Sequence, residues 1–150
     1  MIVGASGGIG LAFVSRLLLD PNIENIYATY RDPISAVALL NIESPKVHCY
    51  QLDISQQEQI AQLSSYLLDY IDRLHMVINC VGILHQQDLQ PEKSLQQINA
   101  ENLLTYFQIN SIASVLLAKY LLPLLRHEQR SILATLSAKV GSIGDNKLGG

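Results

Sequence analysis

The chain has 150 residues, 49% hydrophobic and only 15% charged, with a net charge of −3 at pH 7 and an isoelectric point near 5.7. That length suits one domain with a large interior and a lean surface, and the acidic balance argues against nucleic acid or an anionic membrane as the principal ligand. Cys49 and Cys80 lie 31 positions apart without Cys-x-x-Cys spacing, so a reduced cytoplasmic setting is expected, with a single bridge as the alternative.

Met1 runs directly into a glycine cluster, without the charged and apolar regions of a signal peptide. The greasiest stretch, 114–125, carries Lys119 and Pro123 and falls short of the roughly 18–20 residues of a membrane span. A soluble protein is the expectation.

In chain order, residues 1–3 read as a brief strand, followed by a helix over 8–19 that Asp20-Pro21 closes. Residues 25–30 form a second strand, and Asp32-Pro33 opens a short helix toward Leu40. A third strand covers 47–52. From Ser55, read as an N-cap, a helix presents Ile60, Leu63, Leu67 and Ile71 at spacings of three and four. The apolar run 76–81 is of buried-strand type. The Gln-rich stretch 86–97 reads as a polar loop with a short helix; a long helix over 100–125 and a fifth strand over 131–136 complete the pattern. Strand–helix alternation with short connections predicts an α/β fold, a doubly wound parallel sheet with helices on both faces, as one domain over 1–150. Both ends read as cut. The first strand has at most three residues before Gly4, against about five or six in a typical strand, and the last residues, 145–150, form a turn-rich loop.

The first chemical motif is Gly4-Ala5-Ser6-Gly7-Gly8-Ile9-Gly10, set between a strand and a helix. Gly4 allows a tight turn, Gly8 lets a phosphate approach the backbone, and Gly10 lets helix and strand pack closely. The helix then offers unpaired N–H groups and about half a positive charge to a pyrophosphate. A purely structural turn is the alternative, but the strand before and helix after favour dinucleotide binding.

The spacing Gly-x-x-x-Gly-x-Gly resembles the loop of the short-chain dehydrogenase/reductase family, and the resemblance continues along the chain. Leu52-Asp53-Ile54 is similar to the family's acidic element, which contacts adenine. Asn79-Cys80-Val81-Gly82 matches its Asn-Asn-Ala-Gly element with two departures, and Asn110 falls at its catalytic asparagine. Gly82-Ile83-Leu84-His85 and the loop from Val140 to Asn146 look most like the C-factor and carbonyl-reductase-like branch. Taken singly, Asp53 could be a turn residue and Asn79 a strand-end hydrogen bonder. Asn110, a poor helix former, either faces solvent or serves a purpose there.

A residue about 20 positions past the glycine loop decides between NAD and NADP. Arg31 stands 21 residues after Gly10, and a guanidinium pairs well with phosphate, which favours NADP. The alternatives are a solvated Arg31 paired with Asp32, or Asp32 serving the ribose of NAD.

The resemblance implies hydride transfer between nicotinamide and a small carbonyl or alcohol substrate. It implies a tyrosine as proton donor or acceptor, a lysine four residues on that lowers its pKa, a serine on the substrate oxygen, and the asparagine holding a relay water. None of the seven tyrosines here has a lysine four residues later, so that pair is expected beyond Gly150. The family's serine position, counted back from Gly141, falls on Ala138. Ser137, one step earlier, is the candidate, with Ser142 second. The four histidines show no metal-like spacing. Rival expectations are a dinucleotide-binding module without turnover, acting as a regulator, and a poorly folding fragment. Relatives also imply self-association through the 100–125 helix.

Overall fold

The structure is a computed structural model and describes residues 1–85, 89–90, 92–142 and 144. Five strands, β1 (Ile2–Val3), β2 (Ile26–Tyr30), β3 (Val47–Gln51), β4 (Met76–Asn79) and β5 (Ile132–Thr135), alternate with helices α1 (Gly8–Leu18), α2 (Val37–Leu40), α3 (Gln57–Tyr70), α4 (Ala100–Phe107) and α5 (Ala113–Leu125). All strand pairs are parallel, in the order β3-β2-β1-β4-β5. The order reverses direction between β1 and β4, which opens a crevice at the carboxyl ends of those two strands.

Successive strand residues feed opposite layers. Ile2 and Ile78 join Val14, Ala28 and Leu39 beneath α1 and α2, whereas Val3 and Val77 join Leu63, Leu67, Leu117 and Leu121 beneath α3 and α5. Burial on both faces explains why the central strands read as apolar runs rather than alternating ones. The Ser64 hydroxyl donates to the Tyr120 carbonyl (2.6 Å), fastening α3 to α5.

The predicted elements are all present, with shifted ends. The predicted cap Ser55 is instead held by Asp53, whose Oδ1 accepts from the Ser55 N–H (2.9 Å) and hydroxyl (2.7 Å), and α3 is capped at Gln56 without a side-chain bond. Ile71, expected on the face of α3, is the extended residue that ends the helix, although it still packs on the core. The run 76–81 leaves the sheet after Asn79, whose Oδ1 takes the Val81 N–H (3.0 Å) and turns the chain.

The helix predicted over 100–125 starts as expected, with Asn99 Oδ1 accepting from Glu101 N–H (2.8 Å), but a π-turn at Gln108–Ile112 divides it. Taken with that turn, Ala100–Leu125 is one 26-residue run long and apolar enough to cross a membrane by length and composition, longer than the 114–125 segment alone. One face of it is core: Ala113, Leu117, Leu121 and Leu124 are buried against the sheet. Of the Gln-rich stretch, residues 86–88 and 91 lie outside the described residues, as do Ile143 and 145–150 of the final glycine loop. Leu95–Gln97 forms a short 3₁₀ turn.

Candidate dinucleotide site

The glycine loop leaves β1 at the crevice and is held in place by the neighbouring strand. Thr29, 1% exposed, accepts the Gly4 N–H on its hydroxyl (3.2 Å) and the Ala5 N–H on its carbonyl (2.7 Å). Gly4 has φ +78°, a conformation side chains rarely adopt, and a Cβ there would stand 2.5 Å from Val81 Cγ2. A Cβ on Gly10 would overlap the Gly4 carbonyl oxygen and lie 2.8 Å from Ala5 Cα, so α1 packs against the loop only because that position is glycine. Gly8 differs. Its Cβ would meet nothing within 4 Å, and the space it faces is open. The α1 ladder begins with Leu11 N–H donating to the Gly7 carbonyl (2.8 Å), which leaves the amides of Gly8, Ile9 and Gly10 ahead of the helical bonds. A packing glycine, an open glycine and free amides together fit a diphosphate at this helix end.

Beside the loop lies a cavity of about 240 Å³. It brings together six predicted residues, Gly4, Ser6, Arg31, Asp53, Ile54 and Gly82. Gly8, Ile9, Gly10, Asn79, Asn110 and Ser137 do not line it. Its walls also include Gly7, Leu52, Cys80, Val81 and Ile83, which stand within the motifs but were not selected as site residues, and Ser35 and Ile109, which were not selected either. Most of these adjoin a motif residue, and that adjacency was the available signal. Burial pushes the Cys80 thiol above its ordinary value, so it stays protonated at neutral pH. A wider hollow of about 680 Å³ adjoins the first across Arg31 and Asp53, walled by Tyr50, Gln51, Gln59, Gln62, Leu63 and Tyr66.

Arg31 is exposed on the shared rim. Its guanidinium has no ion-pair partner among the described residues, because the Asp32 carboxylate turns back to accept the Ile34 N–H (3.0 Å). The Arg31–Asp32 pair weighed from the sequence is therefore not formed. Asp53 also has local duties: besides holding Ser55, it donates its own N–H to the Gln59 side-chain oxygen (2.8 Å). Its position on the cavity wall and its role as a turn residue coexist.

The long helix is stitched to the β4 loop by a stripe at every fourth position. The Tyr106 hydroxyl donates to the Leu84 carbonyl (3.0 Å). The Asn110 amide accepts the Ile83 N–H and donates to the Ile83 carbonyl, each at 2.8 Å. The Ser114 hydroxyl accepts from Asn79 Nδ2 (3.1 Å). Asn110 thus serves a purpose, since its side chain clamps the loop that carries Gly82. Both of its polar groups are engaged there, and the π-turn around it is a type of helix distortion found often at functional sites.

Ser137 follows the last ladder bond of β5, in which the Leu136 N–H donates to the Asn79 carbonyl (3.0 Å). It stands at the carboxyl edge of the sheet, exposed. The 3₁₀ turn Lys139–Gly141 folds back so that a Cβ on Gly141 would lie 3.5 Å from its hydroxyl. Ser142 lies beyond that turn, its N–H on the Lys139 carbonyl (3.1 Å).

Comparison with known proteins places this geometry. A family model described as short chain dehydrogenase matches residues 1–147. Oxidoreductase BOA17 of Botryotinia fuckeliana is 26% identical over 144 residues, covering 95% of this chain and 50% of that protein. The short chain dehydrogenase virK of Hypocrea virens is 29% identical, covering 83% and 49%. The chain spans about half the length of the curated relatives it matches. Among solved structures, Sniffer of Caenorhabditis elegans, named as a carbonyl reductase, superposes with a TM-score of 0.84 at 30% identity, over 99% of this chain and 67% of that one. An NADPH-bound carbonyl reductase from chicken fatty liver gives 0.85 at 25%, over 98% and 59%. Parallel topology, glycine loop and family match agree: the chain belongs to the short-chain dehydrogenase family, in its carbonyl-reductase-like part, and the fold is of Rossmann type.

Proposed function

We propose that this chain is the dinucleotide-binding part of an NADP(H)-dependent oxidoreductase acting on a small carbonyl or alcohol compound. The observation that carries the reading is Arg31, a cation without an ion-pair partner among the described residues, which lines the same cavity as Gly4, Ser6 and Gly7 of the glycine loop. When bound, the nicotinamide supplies or accepts hydride. The chain's own residues bind and orient it. The amides of Gly8, Ile9 and Gly10 would hold the diphosphate, and Asp53, Ile54 and Ile109, which line the cavity, would hold the adenine. Arg31 would hold the 2′-phosphate, and Ser6 and Ser35 line the same cavity. Asn79 and Asn110 hold the Cys80–Ile83 wall in register. Ser137 is the candidate for orienting the substrate oxygen.

A second reading has its own support. No tyrosine in these 150 residues has a lysine four positions on, so the chain itself holds no Tyr-x-x-x-Lys acid/base pair and could act as a binding module without turnover. The same proposal includes a cytoplasmic setting, in keeping with free Cys49 and Cys80, and no nucleic-acid or membrane partner. It also includes self-association through Ala100–Leu125, whose Leu104, Phe107 and Val115 are exposed.

Calorimetric titration with NADPH and NADH tests the reading. NADPH is expected to bind more tightly, and Arg31→Ala is expected to remove that preference at a cost of about 1.5–3 kcal/mol, the worth of a charged hydrogen bond. An unchanged preference would exclude Arg31 as the 2′-phosphate ligand. Carbonyl-dependent NADPH oxidation by the chain separates the enzyme from the binding module.

A further inference from the structure

The loop that carries Asp53 and Ile54 to the cavity wall is anchored by the buried Ile54 side chain, and its hydrogen bonds are mostly internal. Within 53–56, Asp53 accepts from Ser55, the Gln56 N–H donates to the Asp53 carbonyl (3.0 Å), and Gln59 reaches back to the Asp53 N–H. Among the described residues, a single hydrogen bond ties this loop to a distant part of the chain. Gln108 Nε2 donates to the Ser55 carbonyl (3.0 Å) across 53 residues of sequence, in a half-buried position.

Gln108 opens the π-turn Gln108–Ile112, and its two successors touch the cavity or its wall. Ile109, 9% exposed, lines the cavity, and Asn110 clamps the opposite loop at Ile83. Three consecutive residues therefore reach the β3–α3 loop, the cavity and the β4 loop. The slower rotation per residue of a π-turn keeps three neighbours closer to one side of a helix than α geometry does.

We propose that Gln108 is a positioning residue for the adenosine half of the dinucleotide: by donating to the Ser55 carbonyl, it fixes the spacing between the Asp53–Ile54 wall and the Gly82–Ile83 wall. The inference rests on the dinucleotide reading above and deepens it. Gln108 does not line the cavity. It acts through the loop, and a pre-set gap lowers the ordering cost of closing both walls on a ligand.

The test uses the whole chain and two readouts. The first is hydrogen–deuterium exchange of peptides spanning 52–57 without ligand; the second is affinity for adenosine 2′,5′-bisphosphate, which reports the adenosine half alone. Gln108→Glu keeps the shape but loses the donor, Gln108→Leu removes the polar group, and Gln108→Lys restores a donor with sufficient reach. Gln108→Glu and Gln108→Leu are expected to exchange faster at 52–57 and to bind the bisphosphate about fivefold more weakly, the loss of one net hydrogen bond. Gln108→Lys is expected to recover both. A shape-only role would leave Gln108→Glu like wild type, and this overturns the proposal. So does faster exchange with unchanged affinity. Wild-type protein that binds no adenosine 2′,5′-bisphosphate at all overturns the dinucleotide reading itself, and the exchange data then show separately whether the latch exists.

Discussion

Gly8 and Gly10 are two positions apart on the same helix turn, and the structure gives them opposite surroundings. In Gly8→Ala the added methyl meets no protein atom within 4 Å, and the residue gains helix propensity worth at most about 1 kcal/mol. Unliganded stability is therefore expected to stay level or rise slightly. The same methyl occupies the open space where a diphosphate would approach the α1 amides. Losing one charge-assisted contact, about 1.5–3 kcal/mol, is expected to weaken NADPH by about 10- to 150-fold. In Gly10→Ala the methyl overlaps the Gly4 carbonyl and crowds Ala5 Cα at 2.8 Å. Both are backbone, so α1 must move away from the loop. Overpacking costs about 1–3 kcal/mol, offset in part by propensity, and a change of 1 kcal/mol moves Tm by roughly 2–4 °C at this size. Thermal unfolding with and without NADPH separates the two. Gly10→Ala lowers Tm before ligand is added; Gly8→Ala lowers only the ligand-induced rise. Wild-type affinity in Gly8→Ala would refute the assignment of the open space to a diphosphate.

Asn79, 1% exposed, joins the Val81 N–H to the Ser114 hydroxyl, so Asn79→Leu strands both partners and is expected to destabilise by about 2–4 kcal/mol in denaturant unfolding. Asn110→Ala removes both bonds to the Ile83 backbone; faster amide exchange at 81–85 and a loss of about 1–2 kcal/mol are expected, and unchanged exchange there would contradict the clamp. Burial raises the acid groups of Tyr27, Cys49, Tyr50 and Cys80. Raised values mean the folded chain holds these protons more tightly than the unfolded one. Stability from this source is complete below the ordinary cysteine value of 9.0 and falls as pH rises beyond it, which equilibrium unfolding between pH 7 and 11 measures.

The outline of the site was legible because its signals are local. Gly4 and Gly10 specify a turn and a packing contact within seven residues, and the start of the long helix near Ala100 was readable from the local pattern. Arg31 could be located by counting from the loop. Its freedom from Asp32 could not, because which way a carboxylate turns depends on the backbone of Ile34 two residues on. Asn110 stands out in the sequence as a poor helix former, yet its partner, Ile83, lies 27 residues away and is reached only when helix and loop dock. Gln108 gave no signal at all: glutamine is an ordinary helix-surface residue, and only the π-turn aims it at Ser55.

The sequence by itself determined the succession of strands and helices, since apolar periods of two and about 3.6 are written into every few residues and do not depend on distant neighbours. It also marked the glycine loop between β1 and α1. Tertiary structure alone decided the strand order β3-β2-β1-β4-β5, the break in the long helix and the partners of Asp53, Asn79 and Asn110. These are set by which surfaces bury together, and a side chain with several equivalent hydrogen-bond options takes the one that packing brings within about 3 Å.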